Sequence, residues 1–202
     1  MAIEGFDFSS VHPLHERLCL DYVNSTPNHS DPSENYLNRY ADLISWSMDV
    51  TLLNENEAQH LIETASRQPA QANAIHAKAI VLREAIYRLL SDIAQGQKPK
   101  PADLDVLNAG LSEAMAHMRL KPAGKGFVWE WETDDLDFML WQVAWSAGEL
   151  LRSDDLKYLR KCEGCDWLFL DTSRNHSRRW CDMRTCGNRA KARRHYERMR
   201  GE

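Results

Sequence analysis

The chain has 202 residues, 43% of them apolar and 27% charged, with seven tryptophans and a net charge of −5. That composition fits a soluble globular protein and excludes a disordered or low-complexity chain. The opening "MAIEGFDFSS" lacks the basic start and apolar stretch of a signal peptide, and the longest charge-free apolar run, Phe138 to Gly148, is too short to span a bilayer, so a cytoplasmic protein without a membrane partner is expected.

In chain order, Pro13 stands at a first helical position, and Leu14, Leu18, Tyr22 and Val23 recur at helical spacing, which predicts a first helix. The polar stretch "NHSDPSENY" reads as a loop. Tyr36, Leu37, Tyr40, Leu43, Ile44 and Trp46 predict a second helix, and Asn54 with Glu57 forms a variant capping box that opens a third. From Ala70 to about Gln95 a long apolar stripe predicts the longest helix, closed by "GQKPKP". A fifth follows from Ala102 to His117, with Leu104, Leu107, Leu111, Ala114 and Met115 as its inner stripe. The pattern then alternates with period two around "PAGKG", predicting a β-hairpin with Phe127, Trp129 and Trp131 on one face. Thr133 caps a sixth helix whose first turn is "DDLD". Trp129, Trp131, Trp141 and Trp145 are read as core, and His60, His76 and His117 as surface or satisfied histidines.

The last fifty residues differ. Four of the five cysteines follow the spacing Cys162-x2-Cys165-x15-Cys181-x4-Cys186, and in a reducing compartment such a set reads as metal ligands before disulfides. Glycine before the second cysteine turns backbone amides toward the sulfurs, and thiolates are the ligands a tetrahedral Zn2+ takes. "DWLFLD" and "RRWC" read as the two strands of a hairpin, and "GNRAKARRHYERMR" as a helix whose first turn supplies the last ligand. One structural Zn2+ per chain on Cys162, Cys165, Cys181 and Cys186 is expected, with every coordination position filled by protein. A redox CxxC, unrelated buried cysteines, or His176 or His195 in place of one thiolate are the alternatives. Cys19 stands alone in an apolar helix and reads as a small core residue.

The fold expected is mainly α with a small β-hairpin: a helical N-terminal domain over residues 1–153, then a treble-clef-like zinc module over residues 154–202. Charge divides between them. Residues 174–202 hold 10 Lys and Arg against 3 Asp and Glu, a net of +7, and the rest of the chain is −12. A basic end on an acidic body suggests that the end meets a polyanion. At 100° per residue, Ala192, His195, Tyr196 and Met199 form a strip expected to pack on the zinc hairpin. Arg189, Arg193 and Arg200 fall on one flank, and Lys191, Arg194 and Arg198 on the other. With Arg178 and Arg179 these are candidate nucleic-acid contacts, double-stranded DNA being the expected partner. The bland reading is that the rails are solvated or neutralised by the acidic body.

These residues resemble a known family, the CGNR zinc finger proteins, named for the tetrapeptide Cys186, Gly187, Asn188 and Arg189. The resemblance includes the paired CxxC, the phrase formed by Phe169, Asp171, Ser173 and Asn175, and "RRWC-x-M-x-x-CGNR-x-K" from Arg178 to Lys191. Upstream, "LCLDYVNS", "YADLISW" and "LREAIYRLL" resemble the ABATE domain, labelled a stress-induced transcription regulator. The resemblance implies a bacterial DNA-binding regulator. Gly187 and Asn188 are read as structural, by close backbone approach and by capping or bridging to the knuckle, and Trp180 as a core anchor.

Three rival functions remain open: a treble-clef nuclease using His176, a protein-interaction module, and an RNA binder. No catalytic residue is assigned. The helical body is the candidate for a small-molecule sensor, and a homodimer is open.

Overall fold

The computed structural model describes residues 17–29, 31–131 and 135–200. Helices α1 (Leu18–Val23), α2 (Tyr40–Asp49), α3 (Glu55–Arg67), α4 (Pro69–Ala94) and α5 (Pro101–Ala116) lead into a hairpin of β1 (Met118–Ala123) and β2 (Gly126–Trp131). Helix α6 (Phe138–Arg152) follows, then a 3-10 turn, strands β3 (Leu159–Lys161) and β4 (Leu168–Leu170), a π turn at Met183–Gly187, and α7 (Asn188–Arg200). The chain is mainly helical with two small antiparallel sheets, and a cysteine cluster follows the helical body.

Local chemistry explains most boundaries. Asn54 Oδ1 accepts the amides of Asn56 and Glu57 at 2.9 and 3.0 Å, and Glu57 Oε2 accepts the Asn54 amide at 2.9 Å, so the capping box opens α3 as expected. Helix α2 starts at Tyr40, four residues later than its apolar pattern suggests. Asn35 explains the delay: its side chain accepts the Leu37 amide at 3.0 Å and donates to the Leu37 carbonyl at 2.6 Å, locking a turn there. Asp42 then caps the helix by accepting the Asn38 and Arg39 amides. Pro13, Leu14 and the expected cap Thr133 lie outside the described residues. Helix α6 begins at Phe138, so "DDLD" does not form its first turn; Asp137 instead accepts Lys78 Nζ at 3.0 Å, and the Leu136 carbonyl accepts the Tyr40 hydroxyl at 2.7 Å.

Helix α4 runs through the middle of the body, touching α1, α2, α3, α5, α6 and β3. Cys19 is fully buried, and burial pushes its thiol up to about 12, the behaviour of an inert core residue. His76 and His117 are satisfied by carbonyls, His117 also stacking on the buried Trp141 at 3.8 Å. Two readings of the body are corrected. Trp129 is 59% exposed, because β1 and β2 run outward from the body and only the base of their apolar face reaches it. Leu104 and Met115 are also exposed, since α5 buries Leu107 and Ala114 against α4 and α6.

The last fifty residues complete their core by sharing it. On β4, Leu168 and Leu170 point into the core of the helical body, together with Leu159 from β3. Phe169, with the opposite orientation, packs among Cys162, Trp167, Cys181 and Cys186. Asn24, just after α1, clamps this strand: its Nδ2 donates to the Leu168 carbonyl at 2.8 Å and its Oδ1 accepts the Leu168 amide at 3.0 Å. Trp167 Nε1 donates to the Thr26 carbonyl at 2.8 Å beside them. Asn24→Ala leaves both backbone groups of a buried strand residue unpaired, so it should cost about 2–4 kcal/mol. Urea unfolding should show that loss, and Asn38→Ala, an exposed control, should lie within about 0.5 kcal/mol of wild type.

Candidate metal centre and basic helix

The knuckle Cys162–Cys165 forms the turn between β3 and β4, and the first helical turn after Asp182 supplies Cys186. Cys181 comes from a segment expected to be a returning strand, and that expectation is corrected. The partner of β4 is β3, and "RRWC" is held mostly by side chains, with one backbone bond from the Glu163 amide to the Arg179 carbonyl at 3.1 Å. Asp171, fully buried, accepts the Ser173 amide at 3.0 Å, the Ser173 hydroxyl at 2.5 Å and the Arg178 amide at 2.9 Å. Burial pushes this carboxyl up, but those donors outweigh it and hold it below the ordinary carboxylate range. Arg178 in turn donates to the carbonyls of Trp180 and Cys181 and lies 4.8 Å over the Phe169 ring.

The four sulfur atoms lie within 4.8 Å of one another, with Cys165–Cys181 at 3.7 Å and Cys181–Cys186 at 3.8 Å. A tetrahedron with Zn–S bonds of about 2.3 Å has edges of about 3.8 Å, so the spacing fits one zinc ion. The charge of the donor set asks for a cation as well. Cys162 is held far below the ordinary thiol range by hydrogen bonds from the Cys165 and Cys181 thiols and by the amides of Cys181 and Gly164. Those same bonds to Cys162 push Cys165 up to about 12 and Cys181 higher still. A divalent ion removes that conflict, and four thiolates leave it no open position.

The surroundings are shaped to the sulfurs. The Cys181 and Gly164 amides donate to Cys162 Sγ at 3.3 and 3.4 Å. A Cβ at Gly164 would meet Cys186 Cβ at 3.0 Å, so the glycine admits the second cysteine loop. Arg189 Nη2 donates to Cys186 Sγ at 3.0 Å, so the arginine of the CGNR tetrapeptide supports the metal ligand. Asn188 bonds the Arg184 carbonyl at 3.0 Å and does not bridge to the knuckle. Trp180 is half-buried against the cysteine cluster, with the Arg179 and Arg194 guanidinia 5.1 and 5.9 Å from its ring.

His176 has a structural place. It sits at φ +45°, its Nδ1 meets the Asp171 carbonyl at 2.9 Å, and its ring stacks on Tyr158 at 4.1 Å. Among the described residues, the cluster of three or more metal-ligating side chains is the four-cysteine set, which contains neither His176 nor His195.

The expected apolar strip of α7 does not pack. No residue of α7 is buried; Tyr196 is 68% and Met199 76% exposed, because the helix leaves the finger from its first turn and packs mainly on the π turn that precedes it, with Arg194 reaching back over Trp180. The candidate cations divide accordingly. Arg178 is engaged with backbone carbonyls and the exposed Arg189 with Cys186 Sγ, Arg179 pairs with Glu163, and Arg193 pairs with Glu197 at 2.9 Å. Lys191, Arg194 and Arg198 line one open groove of about 490 Å3 along the helix together with Glu197, whose carboxylate pairs with Arg193, and among the described residues none of the three cations has an ion-pair partner. A second groove, of about 480 Å3, lies where Pro27 and Tyr36 of the body face Trp167, Arg184, Thr185, Asn188 and Arg189 of the finger, and it opens onto the metal site, since Cys165, Cys181 and Cys186 line it too.

Against known families, residues 16–154 match the ABATE model, described as "Putative stress-induced transcription regulator". The chain belongs to the ABATE family. Residues 158–199 match the CGNR zinc finger, so a CGNR finger follows the ABATE body and its four cysteines are positioned to bind one zinc ion. No curated protein matches the chain. Both matched families are regulatory or metal-binding in description, not enzymatic, and among the described residues no helix is long and apolar enough to cross a membrane.

Sequence reading missed the contacts that tie body to finger. Asn24 and Thr26 stand in "LCLDYVNST", whose polar end could be read only as a helix stop. A buried network was missed too: Arg83 reaches Asn35 at 2.6 Å and Glu84 at 2.9 Å, Glu84 meets His29 at 2.9 Å, and His29 stacks on Tyr87 at 3.4 Å. Lys161, next to the first ligand, lies 5.4 Å over that Tyr87 ring and pairs with Asp166 at 3.1 Å.

Removing Arg189's bond to the ligand should loosen the metal without destroying its site. Competition with a chromogenic chelator should show zinc affinity lowered about 10–100-fold in Arg189→Ala, with Arg193→Ala close to wild type. Chelation of the wild type should release one zinc per chain and free residues 171–200 to exchange amide protons, while α4 stays protected, because β3 and β4 are the finger's elements held by the body.

Proposed function

We propose that the protein is a DNA-binding regulator in which zinc holds α7 out as the element that meets double-stranded DNA. The observation that carries this reading is the groove of Lys191, Arg194 and Arg198 on a helix with no buried residue. Three cations left without carboxylate partners, on a chain whose remainder is strongly acidic, are arranged for an external polyanion. The rail of Arg189, Arg193 and Arg200 is the weaker one, since two of its members are engaged within the chain. The division falls at residues 153 and 154, with the body as the regulatory part.

Phosphate contact fits this surface better than base reading. Lys191, Arg194 and Arg198 stand on one side of the helix and reach along it, the way a backbone is tracked. The groove between Tyr36 and the first turn of α7, which Cys165, Cys181 and Cys186 also line, is where a small effector bound by the body would reach the metal site of the finger.

With Arg200 included, four phosphate contacts give a slope of about −3.6 in a plot of log affinity against log salt. Fluorescence anisotropy on a mixed-sequence duplex should return a slope near that value, and Lys191→Ala with Arg194→Ala and Arg198→Ala should bring it near −1. A slope near zero in the wild type, or tighter binding to single-stranded RNA than to duplex, would refute the reading. A pull-down of protein partners unchanged by nuclease would point to the interaction module instead.

A further inference from the structure

The β1–β2 register sets Met118 opposite Trp131, Leu120 opposite Trp129 and Pro122 opposite Phe127, three apolar rungs on one face. Arg119, Lys121 and Glu130 fall on the other face, with Lys121 paired to Glu130. The base rung is held by the body: Met118 is buried, and Trp131 Nε1 donates to the Ala114 carbonyl at 3.2 Å while its ring meets Trp145 edge-on at 6.0 Å. The outer rungs are open, with Leu120 54%, Trp129 59% and Phe127 67% exposed. Among the described residues this sheet has two strands, so both of its edges are unpaired.

We propose that this hairpin is a homodimerisation surface, its apolar face covering the same face of a second copy. The face carries no charge, so it offers nothing to nucleic acid or to a charged peptide, whereas a two-fold axis brings like apolar rungs together. The outer rungs expose roughly 500 Å2, large for a monomer, and pairing two copies buries roughly 1,000 Å2, the size at which a specific interface begins. Sheet physics points the same way. A two-stranded hairpin is marginal alone in water, and a second hairpin supplies the layer that three or more strands or a packed face would give.

The consequence for recognition rests on the proposed function: a dimer joined at the hairpins carries two α7 helices, and two-fold proteins read two half-sites. Dimerisation itself is tested without nucleic acid, so its failure is separate from failure of DNA binding. Sedimentation equilibrium of the full-length, zinc-loaded protein from 1 to 100 μM should show a dimer, with a dissociation constant raised at least 100-fold in Phe127→Ser with Trp129→Ser. Because both side chains are exposed, that variant should keep its zinc content and helical circular dichroism. Amide exchange across residues 118–131 should slow as wild-type concentration rises. A wild-type monomer throughout the range overturns the proposal, leaving a different protein or residues 1–16 of the same chain as the occupant. A dimer that survives the double substitution, or whose concentration-dependent protection lies elsewhere, overturns it as well.

Discussion

Strand β4 is three residues long, and the rest of the architecture depends on its two faces. Leu168 and Leu170 close the core of the helical body, and Phe169 between them closes the core around the cysteines. A fifty-residue module with a handful of apolar side chains cannot bury enough surface by itself. Here it uses a metal on one side of the strand and a neighbouring domain on the other. Asn24 makes the arrangement specific, since its amide completes the strand's backbone pairing as a third strand would. The tail is therefore fixed to the body through β3 and β4, and whatever moves α1 or α4 is felt close to the metal ligands.

From that wall outward, the arginines are sorted by what the thiolates and carbonyls need. Arg178 neutralises the ends of carbonyl dipoles beside Cys181, and Arg189 faces the Cys186 sulfur. Both lie where a negative cluster would otherwise be unbalanced, since four thiolates on one Zn2+ leave a net charge of −2. Cations further along α7 have no such demand on them. The basic tail thus contains an inner set that stabilises the metal site and an outer set left for solvent or a partner, although the two are the same residue type a few positions apart.

Helical content was legible because the stripes in α3, α4 and α6 are long and the Asn54–Glu57 box is local chemistry. The metal site was legible for the same reason, as ligand spacing within a short loop is set by the loop itself. What was not legible depends on partners distant in sequence. The alternation of β1 and β2 shows correctly which residues share a face, but says nothing of whether that face meets the body. Helix α7 shows an apolar strip, yet Ala192, His195, Tyr196 and Met199 have too little buried neighbourhood to reach, because the finger ends at the π turn. "RRWC" looked like a strand but bends at Trp180 and Cys181, and Asp171 and Arg178 supply bonds that a strand partner would have supplied. Asn24 in "DYVNST" had no local signature at all, since its role exists only once Leu168 arrives beside it from 144 residues away.

A thirteen-residue helix with no buried side chain is marginal in water on propensity alone. Its order comes from one end. Asp182 caps the π turn by accepting the Arg184 and Thr185 amides, Cys186 ties that turn to the metal, and Asn188 closes on the Arg184 carbonyl. Beyond Arg194 the contacts are within the helix, such as the Arg193–Glu197 pair. Repulsion among Lys191, Arg194 and Arg198, which stand at i, i+3 and i+7, works against the helix in the absence of a polyanion. A bound phosphate backbone reverses the sign of that term, so the outer half of α7 gains order from the same contact that gives it affinity. Zinc fixes where the helix begins, and the partner determines how far it extends.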